Sequence, residues 1–116
     1  MKRKRTRIYL SGPISGLERE TVEKNFKLSE ECARNVFGSE CEVVSPLDNG
    51  LPYDAPYERH MRRDISTILN CDGIVMGRGW ESSYGCQTEY QVASVIGLRV
   101  LIIGADGNEP RIEANV

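Results

Sequence analysis

Four short runs rich in Val, Ile and Leu recur along the chain: RIYLS (Arg7 to Ser11), CEVVS (Cys41 to Ser45), GIVM (Gly73 to Met76) and RVLII (Arg99 to Ile103). Each is bounded by Gly, Pro, Asn or Asp, as buried parallel strands tend to be. The intervals between them read as helices. Strand, helix, strand, helix, strand, helix, strand implies right-handed crossovers and a parallel sheet covered on both faces. The expected fold is therefore a flavodoxin-like or Rossmann-like α/β three-layer sandwich with a parallel sheet of about four strands in the order 2-1-3-4.

The helical intervals have the spacing this requires. The first helix is expected from about Leu17 to Phe37, with Val22, Phe26, Ala33 and Phe37 inward, Gly38 as its stop, and Ser15 and Glu18 at capping-box spacing. The second carries Tyr57, Met61, Ile65, Ile68 and Leu69 on one stripe, with Pro56 at its start. The third begins at about Gly85, and Gly85, Glu89, Val92, Ala93 and Ile96 form its stripe. Glu89 is thus a carboxylate on an inward face. The tail ADGNEPRIEANV reads as a loop.

With 116 residues, 40% hydrophobic and 28% charged, the chain suits a single domain, 1–116, with a basic tail at 1–6 and a C-terminal tail at 105–116. No apolar run approaches the roughly 18 residues of a membrane span, and MKRKRTR leads straight into a strand, so no membrane partner and a cytoplasmic location are expected. Cys32, Cys41, Cys71 and Cys86 form no CxxC pair and share one histidine, His60, so reduced thiols, no metal and no cofactor are expected. Lys2, Arg3, Lys4, Arg5 and Arg7 contribute +5 to a net charge of −2, leaving −7 elsewhere. A solvated basic tail fits that balance better than a nucleic-acid surface.

In an open sheet of this order, ligands bind beyond the carboxyl ends of the strands, where the order reverses. Three loops meet there: SGPISG (Ser11 to Gly16), PLDNGLPYDAP (Pro46 to Pro56) and GRGWESSYG (Gly77 to Gly85). Small residues Ser11, Gly12 and Pro13 let a ligand approach the backbone near a helix N-terminus. Glu89, in the first or second turn of its helix, faces that edge, a setting suited to nucleophilic or acid/base work. Arg78 could pair with a phosphate or simply be solvated, and Trp80 could stack on a base or anchor its own loop. Asp64 falls near the edge of the second helix's apolar face, where a carboxylate is normally a surface group. His60, four residues before it, could pair with it along the helix. Asp72, at the start of the third strand, is expected to serve as a turn or cap.

Three segments, RIYLSGPISG, RRDISTILNCDGIVM and SSYGCQTEYQVASVIGLRVLII, together resemble the nucleoside 2-deoxyribosyltransferase family, which includes the 2'-deoxynucleoside 5'-monophosphate N-hydrolases. The YLSGPISG and GWESS phrases also resemble a small bacterial and phage branch of that superfamily. The resemblance implies that Glu89 is a nucleophile, that Tyr9 orients it, and that Asp64 holds the sugar and assists the departing base. Ser83 and Gly85 then belong to the substrate site, and a serine at position 83 fits the monophosphate hydrolases. It further implies a nucleoside or nucleotide as ligand, no cofactor, and a homo-oligomer, because family members complete the site with a neighbouring subunit. A nucleotide-binding module of the same fold without turnover, and an NAD-type glycohydrolase, are the alternatives.

Overall fold

The computed structural model describes residues 5–104 and 110–113. The first four residues of the basic tail, Lys2, Arg3 and Lys4 among them, lie outside the described residues. Strands β1 (Arg7–Ser11), β2 (Glu42–Val44), β3 (Gly73–Met76) and β4 (Arg99–Ile102) alternate with helices α1 (Arg19–Phe37), α2 (Tyr57–Ile68) and α3 (Tyr84–Val95). With a short fifth strand, β5 (Arg111–Ile112), the sheet order is β2-β1-β3-β4-β5, and the first four strands pair in parallel.

Within the tail read from the sequence as a loop, whose residues 105–109 and 114–116 lie outside the described residues, two residues form a strand instead. β5 (Arg111–Ile112) pairs antiparallel with β4, Ile112 opposite Leu101 and Arg111 opposite Ile102. Both its residues are exposed, so an edge strand of two residues carries no apolar run by which a sequence could announce it.

Alternation along the central strands divides the core into two layers. Ile8, Leu10, Val75 and Leu101 face α1 and meet Val22, Phe26 and Ala33. Tyr9, Ile74, Met76 and Val100 point the other way, with Ile68 of α2 and Ala93 of α3. Burying each of these larger aliphatic side chains stabilises the fold by about 1.5–3 kcal/mol relative to leaving it exposed. The sheet is thus covered on both faces, as the crossover pattern requires.

Local details depart from expectation at the start of α1, along α2 and at the end of α3, where Ile96 of the expected inward stripe is exposed, while Gly38 stops α1 as expected. α1 begins at Arg19 with Glu18 as its cap residue and no side-chain cap bond, so the Ser15–Glu18 capping box does not form. Gly38 ends the helix at φ +112, a conformation costly for other residues. In α2 the outer members of the apolar stripe, Tyr57 and Leu69, are half exposed, whereas Asp64 and Ile68 are buried. The helix lies rotated from its apolar stripe, because α2 turns part of its inner face toward a polar cavity floor rather than toward the hydrocarbon core.

Candidate active site

The floor of the site is one buried carboxylate held by two hydroxyls. Tyr9 and Ser11 lie two residues apart on β1 and therefore on the same face of the sheet. Across that face Tyr9 Oη donates to Glu89 Oε2 at 3.1 Å and Ser11 Oγ donates to Glu89 Oε1 at 2.7 Å. Glu89 sits in the second turn of α3 and is only 5% exposed. Ser83 caps this helix, its hydroxyl accepting from the Cys86 backbone N–H at 3.3 Å.

Burial dominates the protonation of this carboxylate. Desolvation pushes Glu89 up to about 7, and the nearby charge of Asp64 adds to the rise, while the Ser11 and Tyr9 hydroxyls oppose it. Desolvation and then the charges of Glu89 and Asp64 also raise Tyr9 well above the ordinary phenol range. Near neutrality Glu89 therefore exchanges a proton readily, and Tyr9 stays a donor.

The second carboxylate is equally enclosed. Asp64, read from the sequence as a boundary group, is 6% exposed and faces the same floor. Desolvation raises its proton affinity, and a hydrogen bond from Asn49 offsets part of this. Asn49 Nδ2 donates to Asp64 Oδ1 at 3.1 Å and also lies 3.0 Å from His60 Nδ1. The direct helix pair expected of His60 and Asp64 is thus replaced by an amide between them. Asp72 takes the structural role expected of it, accepting from the Arg7 backbone N–H at 2.9 Å.

Above the carboxylates opens a cavity of about 1030 Å³ bounded by all three loops at the carboxyl edge of the sheet. Gly12, Pro13, Arg78, Ser83 and Gly85 line it together with Asp64 and Glu89. Two expectations need correction. Ser11 lies behind Glu89 rather than on the cavity wall, its side chain committed to the carboxylate. Trp80 turns away from the opening and packs on Tyr90, ring centroids 5.0 Å apart, at the margin of the α3-side core. A planar residue in a glycine-flanked loop gives no sequence clue to the side it takes.

The cavity also takes side chains to which the sequence reading assigns no site role, among them Tyr57, which it places on the inward stripe of α2. Tyr53, Tyr57 and Tyr84 stand at the cavity wall, and Arg19 stacks over Tyr53 at 4.5 Å. Tyr57 also closes on the helix start, where a Cβ added at Gly85 would lie 2.8 Å from its hydroxyl. The signal for Tyr53 and Tyr57 was the Tyr-x-x-x-Tyr spacing at the end of the Pro- and Gly-rich loop that also carries Asn49, whereas Tyr84 had no comparable pattern.

A family model described as a domain of unknown function, DUF4406, matches residues 6–102. No protein of curated function is significantly similar to the chain in sequence. Among solved structures, the 2-deoxyribosyltransferase of the psychrotolerant bacterium Bacillus psychrosaccharolyticus is similar with a TM-score of 0.64 and 21% identity, over 90% of this chain and 75% of that one. A conserved protein from Enterococcus faecalis V583 is similar with a TM-score of 0.66 and 22% identity. That likeness covers 85% of this chain and 63% of the other, so the chain spans less than two thirds of its length. At these identities the likeness is one of fold.

Proposed function

The chain belongs to the DUF4406 family, and from that premise and the paired buried carboxylates we propose that it cleaves or transfers at the N-glycosidic bond of a deoxynucleoside or its 5'-monophosphate. The observation that carries this reading is Glu89, held by Tyr9 and Ser11 on the floor of an open cavity with Asp64 beside it. The fold shared with a 2-deoxyribosyltransferase supports the same choice.

The chemistry follows from the positions of the groups. An ionised Glu89 oxygen attacks the anomeric carbon, forming a C–O bond as the C–N bond breaks and its electron pair leaves with the base. Asp64, whose proton affinity burial raises, supplies the proton that the departing nitrogen takes up. Tyr9 and Ser11 keep the attacking oxygens in place. Water then releases the sugar, or a second base captures it, and the covalent intermediate is common to both outcomes.

Recognition divides along the cavity. The tyrosines Tyr53, Tyr57 and Tyr84 offer faces to a planar base. At the start of α3 the Ser83 oxygen accepts a backbone N–H, which leaves its own proton free for a 5'-phosphate, and Arg78 adds charge at the rim. A cavity of about 1030 Å³ has room for a nucleotide. The same reading carries a single domain over residues 1–116, a homo-oligomer, a cytoplasmic location and no cofactor; among the described residues no helix is long and apolar enough to cross a membrane.

Incubation with deoxynucleosides, their monophosphates and NAD, followed by chromatography of released base, tests the proposal. Base release from a deoxynucleoside or its monophosphate that disappears in Glu89→Ala is the expected result. Thermal stabilisation by these ligands without any release would instead mark a binding module, and nicotinamide release alone would mark an NAD glycohydrolase.

A further inference from the structure

The polar network behind Asp64 is fully specified by its donors and acceptors. The Leu51 backbone N–H donates to Asn49 Oδ1 at 3.0 Å, which fixes the amide so that its NH2 group points away from that N–H. One amide hydrogen then goes to Asp64 Oδ1 and the other to His60 Nδ1. His60 Nδ1 must accept, so the imidazole is neutral and carries its proton on Nε2, which donates to the Pro52 carbonyl at 3.1 Å. The segment is tied again where Arg63 Nη1 donates to the Asn49 carbonyl at 2.7 Å.

An acid that accepts a hydrogen bond at Oδ1 carries its proton at Oδ2. On this basis, and resting on the glycosidic reading above, we propose that Asn49 is a positioning residue of the site: oriented by neutral His60, it holds Asp64 so that the exchangeable proton stands on Oδ2. The groups facing Asp64 are Tyr9 from β1, Glu89 from α3, Asn49 from the segment before α2, and His60 and Arg63 from its own helix. Among the hydrogen bonds on this floor, Tyr9 and Ser11 donate to Glu89 and Asn49 donates to Asp64, while the Tyr9 hydroxyl also faces Asp64 and favours its ionised form.

Such a role is separable from mere folding. In Asn49→Leu the lost amide donor raises the Asp64 titration midpoint, followed by carboxyl carbon NMR on isotopically labelled protein, by about one pH unit, a tenfold tighter proton. His60→Asn keeps an acceptor where Nδ1 stood and leaves that midpoint near the wild-type value, whereas His60→Phe shifts it as Asn49→Leu does. On a deoxynucleoside monophosphate, kcat falls about tenfold in Asn49→Leu with little change in KM, as expected for an interaction used after binding. Nitrogen NMR of the wild-type imidazole shows the Nε2–H tautomer at neutral pH. An Nδ1–H tautomer, or an Asp64 midpoint unmoved in both Asn49→Leu and His60→Phe, overturns the proposal. If Asn49→Leu fails to fold, the tautomer and the two His60 variants decide. Should the wild-type protein release no base, the glycosidic reading fails while the titrations still judge Asn49.

Discussion

Ser11 and Glu89 stand 78 positions apart in sequence, and their side chains meet at 2.7 Å inside the protein. The hydroxyl is the strongest of the contacts that favour the ionised carboxylate, since it leads those that lower the Glu89 proton affinity. Replacing Ser11 with Ala leaves Oε1 buried and without this donor, at a cost of about 1–3 kcal/mol at alkaline pH. The variant should also bind the Glu89 proton more tightly, so the acid limb of base release moves upward from about 7. A pH–rate profile of kcat/KM, with urea unfolding at pH 8, checks both expectations.

Glu89 itself gives the fold a pH dependence of definite sign. Its proton is bound more tightly in the folded chain, at about 7, than at the ordinary value of 4.5. The folded state therefore holds more protons between these values, and stability from this group is complete below about pH 4.5 and lost as pH rises through about 7. The full difference is on the order of 3 kcal/mol. Glu89→Gln removes this penalty, so it should unfold at higher urea than the wild type at pH 8 and show no such advantage at pH 4.

Two glycines near the site should behave oppositely on substitution. A Cβ at Gly77 would lie 2.9 Å from the Ser29 hydroxyl and 3.0 Å from the Ser11 carbonyl, within packed backbone. Gly77→Ala should cost about 1–3 kcal/mol. At Gly85 the nearest atom is the terminus of the half-exposed Tyr57 side chain, which can swing aside. Gly85→Ala should keep stability within about 1 kcal/mol, helped by helix propensity, yet weaken ligand affinity by crowding the cavity. Thermal denaturation and ligand titration on the two variants separate these effects.

Trp80 is the sole tryptophan, and its contact with Tyr90 makes it a reporter of packing rather than of ligand. Trp80→Ala should cost about 2 kcal/mol, below the usual figure for a fully buried ring. Wild-type fluorescence should change sharply on unfolding and little on saturation with a deoxynucleotide. Strong quenching by the nucleotide would place the indole back in the cavity.

The architecture was legible because its signals are local. Runs such as GIVM need no knowledge of their neighbours to be read as buried strands, and Gly38 stops α1 wherever the sheet lies. Glu89 was legible for the same reason, as a charge on an apolar helical stripe. Asp64 was not legible from its own pattern, because its burial depends on what α2 faces, and Asn49 and Tyr9 reach that floor from other elements. The β5 pairing and the choice of Tyr90 as Trp80's neighbour are likewise set by tertiary contacts that leave no periodic trace.

The two hydroxyls that aim Glu89 belong to β1, which lies between β2 and β3 in the sheet. Loops at the rim can open or be exchanged without releasing that grip. Amide hydrogens of β1 should accordingly be among the last to exchange with solvent, and grafting a different segment between β2 and α2 would alter which molecules enter while leaving the reactive oxygen pointed where it was.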